Sequence, residues 1–293
     1  MDIKAYLSEK TDVINRALDR FAPTEDAYPQ SIHRAVRYSL FAGGKRFRPV
    51  LVIASAEAVG GKIEDVIDTA AAFECVHTYS LVHDDLPAID NDDLRRGIAT
   101  CHKVFGEAVA ILAGDALLTL AFDIISRSSY KDKPVLVRVI AEMSWAAGMA
   151  GMIGGQVADI ESEGQDVLFP VLEHIHIHKT GALIAAAVRS GAILGGANEK
   201  QLSALTRYAE AIGLAFQIAD DILDVEGTQE ETGKAVGADE KRKKATYPAL
   251  IGLAQSRQRA RELVDRALES LMDFGQEAEP LRAIARYVVE RRG

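Results

Sequence analysis

The sequence predicts an all-α, single-domain protein, on three observations. Proline is scarce, with 8 in 293 residues, about half the usual ~5%. Apolar residues recur at spacings of three and four over several long stretches. No run alternates β-branched and polar residues as a half-buried strand would. In chain order the helical stretches are Val66 to Asp84, Phe105 to Ile125, Pro134 to Ile153, Leu183 to Leu194 and Gln201 to Leu223. Within the first, Val66, Ile67, Ala70, Ala71, Phe73, Val76, Tyr79 and Val82 trace the period. All five are apolar on more than one face, which places them inside a bundle rather than on its surface. The stretch Glu226 to Ala245, with Gly227, Gly233, Gly237 and the basic run Lys241 to Lys244, reads as a loop. Its length is at the limit where loops usually carry function. No Pro/Ser-rich linker divides the chain, so residues 1–293 are expected to form one domain.

Composition excludes several classes. A 48% hydrophobic, 26% charged chain buries enough apolar surface to fold, so it is not intrinsically disordered. Two cysteines, Cys75 and Cys101, cannot build a disulfide scaffold and read as buried thiols in a reducing compartment. A net charge of −9 disfavours a dedicated nucleic-acid binder, because phosphate backbones need a basic face. No uninterrupted apolar run reaches about 18 residues; the nearest, Gly181 to Gly196, is broken by Arg189. The start Met1-Asp2-Ile3-Lys4 lacks the basic and apolar regions of a signal peptide. A soluble cytoplasmic protein without stable membrane insertion is expected.

Carboxylates carry the chemistry. Asp84, Asp85, Asp90, Asp92 and Asp93 form one cluster, and Asp220, Asp221 and Asp224 a second. Each ends an apolar helix, and Leu81 to Leu86 resembles Gln217 to Ile222. Like charges so close repel, and a hard divalent cation with oxygen ligands relieves that repulsion. Mg²⁺ takes one or two carboxylates, waters and substrate phosphate oxygens. Asp220 and Asp224, four apart, project from one face. Asp84 and Asp90, six apart, would lie about 120° off a common face of an ideal helix. Pro87 disfavours helical geometry at Leu86 and blocks continuation, so the helix should end or bulge near Asp85 and let Asp90 fold back. Arg95 and Arg96 follow at once, and arginine suits bidentate phosphate binding. The bland alternative, carboxylates that merely cap helices or solvate loops, suits a lone Asp pair better than two such clusters beside two arginines.

These motifs resemble the trans-isoprenyl diphosphate synthases, most closely the bacterial farnesyl diphosphate type. The resemblance rests on Gly43 to Pro49, His77 to Gly97, Phe105 to Ala108, Leu112 to Leu117, His178 to Gly181, Phe216 to Asp224 and Thr246 to Leu250. It implies a bundle of about ten or more helices around a central active-site cavity, usually a homodimer. It implies that the Asp motifs hold three Mg²⁺ ions, with Mn²⁺ as a substitute, on the diphosphate of an allylic substrate. Asp84, Asp90 and Asp220 then correspond to direct metal ligands, and Asp85, Asp221 and Asp224 to supporting or water-mediated ones. Arg95, Lys179 and Lys234 resemble the residues gripping the allylic diphosphate. Lys45, Arg48, His77 and Arg96, beside Gly44, resemble the isopentenyl diphosphate site. Lys244 resembles the last lysine of a mobile lid, which would close loop 226–245 to exclude water. Thr180, Gln217 and the Lys179 carbonyl would direct dipoles at an allylic carbocation.

Tyr79 precedes Asp84 by five residues, about 7.5 Å along a helix. A phenol there can floor the channel for a growing prenyl tail, while Ser80 leaves room. That pattern resembles enzymes that stop at fifteen carbons. The nearest alternatives are geranyl and geranylgeranyl diphosphate synthases. An HD-type metal phosphohydrolase (from His83-Asp84), a terpene cyclase and a silent partner subunit each leave one or more of these motifs unexplained. His174, His176 and His178 invite a metal reading, but on a helix only the outer two share a face. Asp115 reads as structural as readily as functional. The tail ends in Arg291 and Arg292, where relatives often carry a basic end.

Overall fold

Asp2 opens the first helix: its carboxylate accepts the Lys4 and Ala5 N–H groups and so caps two otherwise unpaired donors. A computed structural model describes residues 1–226 and 245–290. The elements are α1 (Ile3–Phe21), α2 (Gln30–Leu40), α3 (Phe47–Glu57) and α4 (Ile63–Asp84), then a two-strand hairpin, β1 (Leu94–Arg95) and β2 (Ile98–Ala99). They continue with α5 (Cys101–Phe105), α6 (Glu107–Arg127), α7 (Lys133–Ala147), α8 (Met152–Ser162) and α9 (Phe169–Ile175). A π-helical segment, His176–Gly181, runs into α10 (Ala182–Leu194). After α11 (Glu199–Glu226) come α12 (Tyr247–Ile251), α13 (Leu253–Ser270), a 3₁₀ turn and α14 (Glu279–Glu290). The architecture is all-α, as the apolar periodicity predicts.

The centre is α3, every residue of which from Arg48 to Ala56 is buried. It packs on α4 and α10; α6 covers α4, and α13 covers α11. Small residues permit this closeness. A Cβ at Gly191 of α10 would overlap the Val52 carbonyl of α3, so the two helices meet backbone to backbone.

Two stretches that read as single helices are broken. Phe105 to Ile125 splits at Gly106, whose φ of +83° is open to glycine at little cost. Pro134 to Ile153 splits between α7 and α8, across Gly148 and Gly151. Glycine weakens helix interiors by about 1 kcal/mol relative to alanine, and here two fall within one turn. The apolar runs also need correcting. Glu107–Arg127 has the length and mean hydropathy (2.0) of a membrane span and is a better candidate than Gly181 to Gly196, whereas Lys133–Ser162 (1.3) is divided between α7 and α8. Asp115 and Asp123 interrupt the first, and its Ala110, Ala113, Leu117 and Ala121 are fully buried. Asp115 itself is exposed on α6.

Tyr208 of α11 is fully buried, and its hydroxyl donates to the Leu281 carbonyl at 2.7 Å, tying α11 to α14. Tyr208→Phe should lower stability by about 1 kcal/mol, read as a lower urea midpoint at unchanged slope. An unchanged midpoint would show that this bond contributes nothing net.

Candidate active site

α4 ends at Asp84, and Pro87 follows in the turn. The chain then folds back: the Asp90 N–H donates to the Asp84 carbonyl at 2.8 Å, Asn91 to Leu86 at 3.0 Å and Asp92 to Asp85 at 3.2 Å. Asn91 takes φ +51°, a left-handed conformation that asparagine tolerates. This turn returns Asp90 to the level of Asp84. Burial raises the Asp84 carboxyl above its ordinary value; Lys179 and Arg95 offset part of this, and Asp90 and Asp85 add to it.

The hairpin delivers the two arginines. Leu94 pairs with Ala99 and Arg95 with Ile98, leaving Arg96 (φ +53°) and Gly97 (φ +81°) as the turn. Two central residues at positive φ form the turn that matches strand twist. Arg95 then faces buried Asp85, with Nε at 2.7 and 2.9 Å from its two oxygens. Burial would lower the Arg95 pKa, but the Asp85 bonds raise it overall. Arg96 reaches back to donate to the Gly43 carbonyl. Its guanidinium fills the place a Cβ on Gly44 would need, and Gly44 sits at φ +118°. Both facts require glycine there.

Behind this loop Arg48 is 9% exposed, whereas Lys45 is exposed. Burial lowers the Arg48 pKa to about 10, with Glu74 and Asp220 opposing and Arg96 adding. His77 is pushed well below its ordinary value by burial and by Arg48, Arg96, Arg95 and Arg46. It is therefore neutral at pH 7 and offers a ring N–H rather than a charge.

The second Asp motif meets the first through shared neighbours. Phe216 stacks on Phe47 at 4.9 Å, joining α11 to the start of α3. Asp220 acts on Arg48, and Lys179 acts on Asp84, so charges from both halves face one space. Thr180 donates to the Gln217 side chain at 2.9 Å, and Lys179 pairs with Asp159 at 2.6 Å. Lys179 and Thr180 sit in the π-helical segment, a distortion often found at functional sites. Asp224 lies one turn beyond Asp220, half-buried.

Asp85 and Asp221, grouped with the metal-holding residues from sequence, are turned to protein partners. Asp85 holds Arg95. Asp221 is buried and accepts from the Tyr247 N–H at 2.9 Å and Gln217 Nε2 at 3.3 Å, with His176 Nε2 at 2.9 Å. Both fit a supporting place rather than an open ligand position. Lys234, Lys244, residues 227–244 of the lid expected over 226–245, and Arg291 and Arg292 lie outside the described residues. Sequence reasoning missed His176, Asp159, Arg46 and Glu74 as parts of the site's framework. The alternation of His174, His176 and His178 held the one usable signal, since the middle histidine must face away from the outer two. His174 and His178 stack on each other at 3.9 Å.

Among the described residues no three His, Cys, Asp or Glu side chains converge tightly enough to hold an ion unaided. The donor set is nonetheless hard oxygen, half-buried and mutually repelling, which fits a divalent cation completed by phosphate oxygens. Tyr79 is 5% exposed and meets His83 edge-on at 5.8 Å. His83 in turn lies against Gly114 and the Ile111 carbonyl. Burial and Asp84 push the Tyr79 phenol up to about 12. Ser80 turns its hydroxyl back to the His77 carbonyl. A groove of about 830 Å³ between α7, the π-helical segment, α11 and α13 is lined by no residue of either Asp motif.

Comparison with known proteins accords with this geometry. The family model described as polyprenyl synthetase matches residues 29–285, spanning both Asp motifs and the basic loops. The chain is 50% identical to a dimethylallyltranstransferase of Fischerella ambigua (strain UTEX 1903) over 98% of this chain and 83% of that protein. It is 47% identical to the farnesyl diphosphate synthase of Escherichia coli (strain K12), over 99% of each. The crystal structure of geranylgeranyl pyrophosphate synthetase from Pyrococcus horikoshii superposes with a TM-score of 0.90 at 30% identity, over 99% of this chain and 98% of that one. With both Asp motifs, the arginine hairpin and the Lys179 segment in place, the chain belongs to the polyprenyl synthetase family, the trans-isoprenyl diphosphate synthases, and is a trans-prenyltransferase.

Proposed function

We propose that the protein condenses isopentenyl diphosphate with dimethylallyl or geranyl diphosphate and stops at farnesyl diphosphate, acting in the cytoplasm as a homodimer. The observation that carries the chain length is Tyr79, buried five residues before Asp84 and backed by His83. Exposed Ile111, Leu112, Trp145 and Met149 on and beside α6 and α7 support self-association.

Mg²⁺ held by Asp84, Asp90 and Asp220, with Asp224 in support, would neutralise charge developing on the leaving diphosphate. Arg95 and Lys179, each paired with a carboxylate here, hold that diphosphate in place. Ionisation leaves an allylic cation. The Thr180 hydroxyl and the Gln217 carbonyl oxygen, preset by their mutual bond, direct negative dipole ends towards it. Lys45, Arg48 and Arg96 hold isopentenyl diphosphate with neutral His77. Its double bond attacks the cation, and loss of a proton, taken up by the departing diphosphate, completes a chain longer by one isoprene unit.

Geranylgeranyl diphosphate as the product is the second reading, favoured by the Pyrococcus horikoshii likeness. Chromatography of products from isopentenyl diphosphate plus dimethylallyl or geranyl diphosphate, with and without Mg²⁺, separates them. A C20 product would overturn the chain length, and no condensation would overturn the activity. Gly44→Ala should raise KM for isopentenyl diphosphate about tenfold by displacing Arg96, with KM for the allylic substrate little changed. Equal KM values would remove Arg96 from this site.

A further inference from the structure

Beneath the cationic loop lies a buried ion pair to which the reaction assigns no part. Arg46 is 3% exposed and Glu74 1%, and they meet at 2.7 Å. The same guanidinium donates to Asn15 of α1 at 2.9 Å and to the Leu40 carbonyl at the end of α2 at 2.7 Å. One side chain thus ties α1, α2 and α4 to the start of α3, where Arg46 takes φ +48°. That left-handed conformation costs a non-glycine residue energy and persists because the surroundings impose it.

Stability does not account for the pair. Taking two charges out of water costs about as much as their attraction returns, and apolar replacements of similar volume are often as stable. Placement accounts for it better. Arg46 lies between Lys45 and Arg48, while Glu74 and His77, three apart on α4, share a face. Four guanidinium groups (Arg46, Arg48, Arg95 and Arg96) act on His77, and Glu74 acts on both Arg48 and Arg96. Glu74 Oε2 and Arg48 Nε are both buried without a hydrogen-bond partner among the described residues, an acceptor and a donor left over in the same region.

Resting on the reading of this loop as the isopentenyl diphosphate site, we propose that Arg46 and Glu74 are its positioning pair. Arg46 sets the loop so that Lys45 and Arg48 converge on one diphosphate. Glu74 supplies the fixed negative charge that lets several cations crowd together before the anion arrives. Neither residue touches substrate.

The test is titration calorimetry of isopentenyl diphosphate, with steady-state kinetics varying each substrate in turn. The variants are Glu74→Gln and the apolar double variant Arg46→Met with Glu74→Leu. Both should bind isopentenyl diphosphate about tenfold or more weakly, with allylic KM and kcat within about twofold of the parent, and the double variant, which also leaves Asn15 and the Leu40 carbonyl without the Arg46 donor, should fold but melt lower than the parent. If Glu74→Gln fails to fold, the double variant alone decides. Parent-like affinity in a folded variant, or equal shifts in both KM values, overturns the proposal. Failure of the unsubstituted protein to bind isopentenyl diphosphate overturns both the site reading and the pair's role. Binding by the parent with unaffected variants overturns the pair's role alone.

Discussion

Asp84→Asn is expected to lower kcat by at least about a hundredfold and to make the metal-free protein more stable. The activity loss follows from removing a charged oxygen at the first Asp motif; metal stabilisation of a developing charge is worth several kcal/mol, and about 1.4 kcal/mol is tenfold in rate. The stability gain follows from the environment of Asp84. Burial raises its carboxyl pKa above 3.8, Lys179 and Arg95 offset part of that, and Asp90 and Asp85 add to it. The folded state therefore holds this proton more tightly than the unfolded chain does. Asp84's contribution to stability is full below its ordinary pKa and is lost as pH rises through the raised value in the folded state. At neutral pH the ionised carboxylate weakens the metal-free fold, and asparagine removes that penalty while keeping the shape. Thermal melts in chelator, paired with condensation assays in excess Mg²⁺, check both halves. Activity within about tenfold of the parent would remove Asp84 from the metal-holding set. A lowered melting temperature would contradict the electrostatic account.

Tyr79→Ala is expected to lengthen the product by at least one isoprene unit. The ring occupies space about one and a half turns below Asp84, where the tail would pass on the proposed anchoring of its diphosphate at the Asp motifs. Deleting it opens room and should cost about 3 kcal/mol of stability, as aromatic-to-alanine changes in cores do. Tyr79→Phe separates the two effects. The Tyr79 hydroxyl is buried without a hydrogen-bond partner among the described residues, and an unsatisfied buried hydroxyl is costly. Phenylalanine should therefore keep the parent product and melt no lower. A Tyr79→Ala enzyme that still makes only the parent product by chromatography would end the role of this residue as a floor.

The break at Pro87 shows what is legible locally. Proline's missing N–H and its ring block the continuation of a helix already under way, so the return of Asp90 towards Asp84 follows from a few neighbouring residues. The glycine breaks at Gly106 and between Gly148 and Gly151 were less legible. Glycine permits a helix as well as a break, and the packing of α7 and α8 decides between them. Arg48 illustrates a further limit. The motif resemblance groups it with Lys45 and Arg96, but its burial comes only from the packing of α3 on α4 and α10.

The sequence by itself determined the helical class, the two Asp clusters and an acid–base pairing that suits a metal-bridged phosphate, because periodicity, spacing and residue chemistry are properties of short segments. The tertiary structure decided which protein groups each carboxylate faces. Asp220 faces Arg48, whereas its neighbour Asp221 is occupied by His176 and the Tyr247 N–H, groups 45 and 26 residues away in the chain. It also decided that His77 is neutral and that Arg46 is buried on Glu74. Each of these depends on charge and solvent exclusion contributed by distant segments, and no local pattern encodes which segment will arrive.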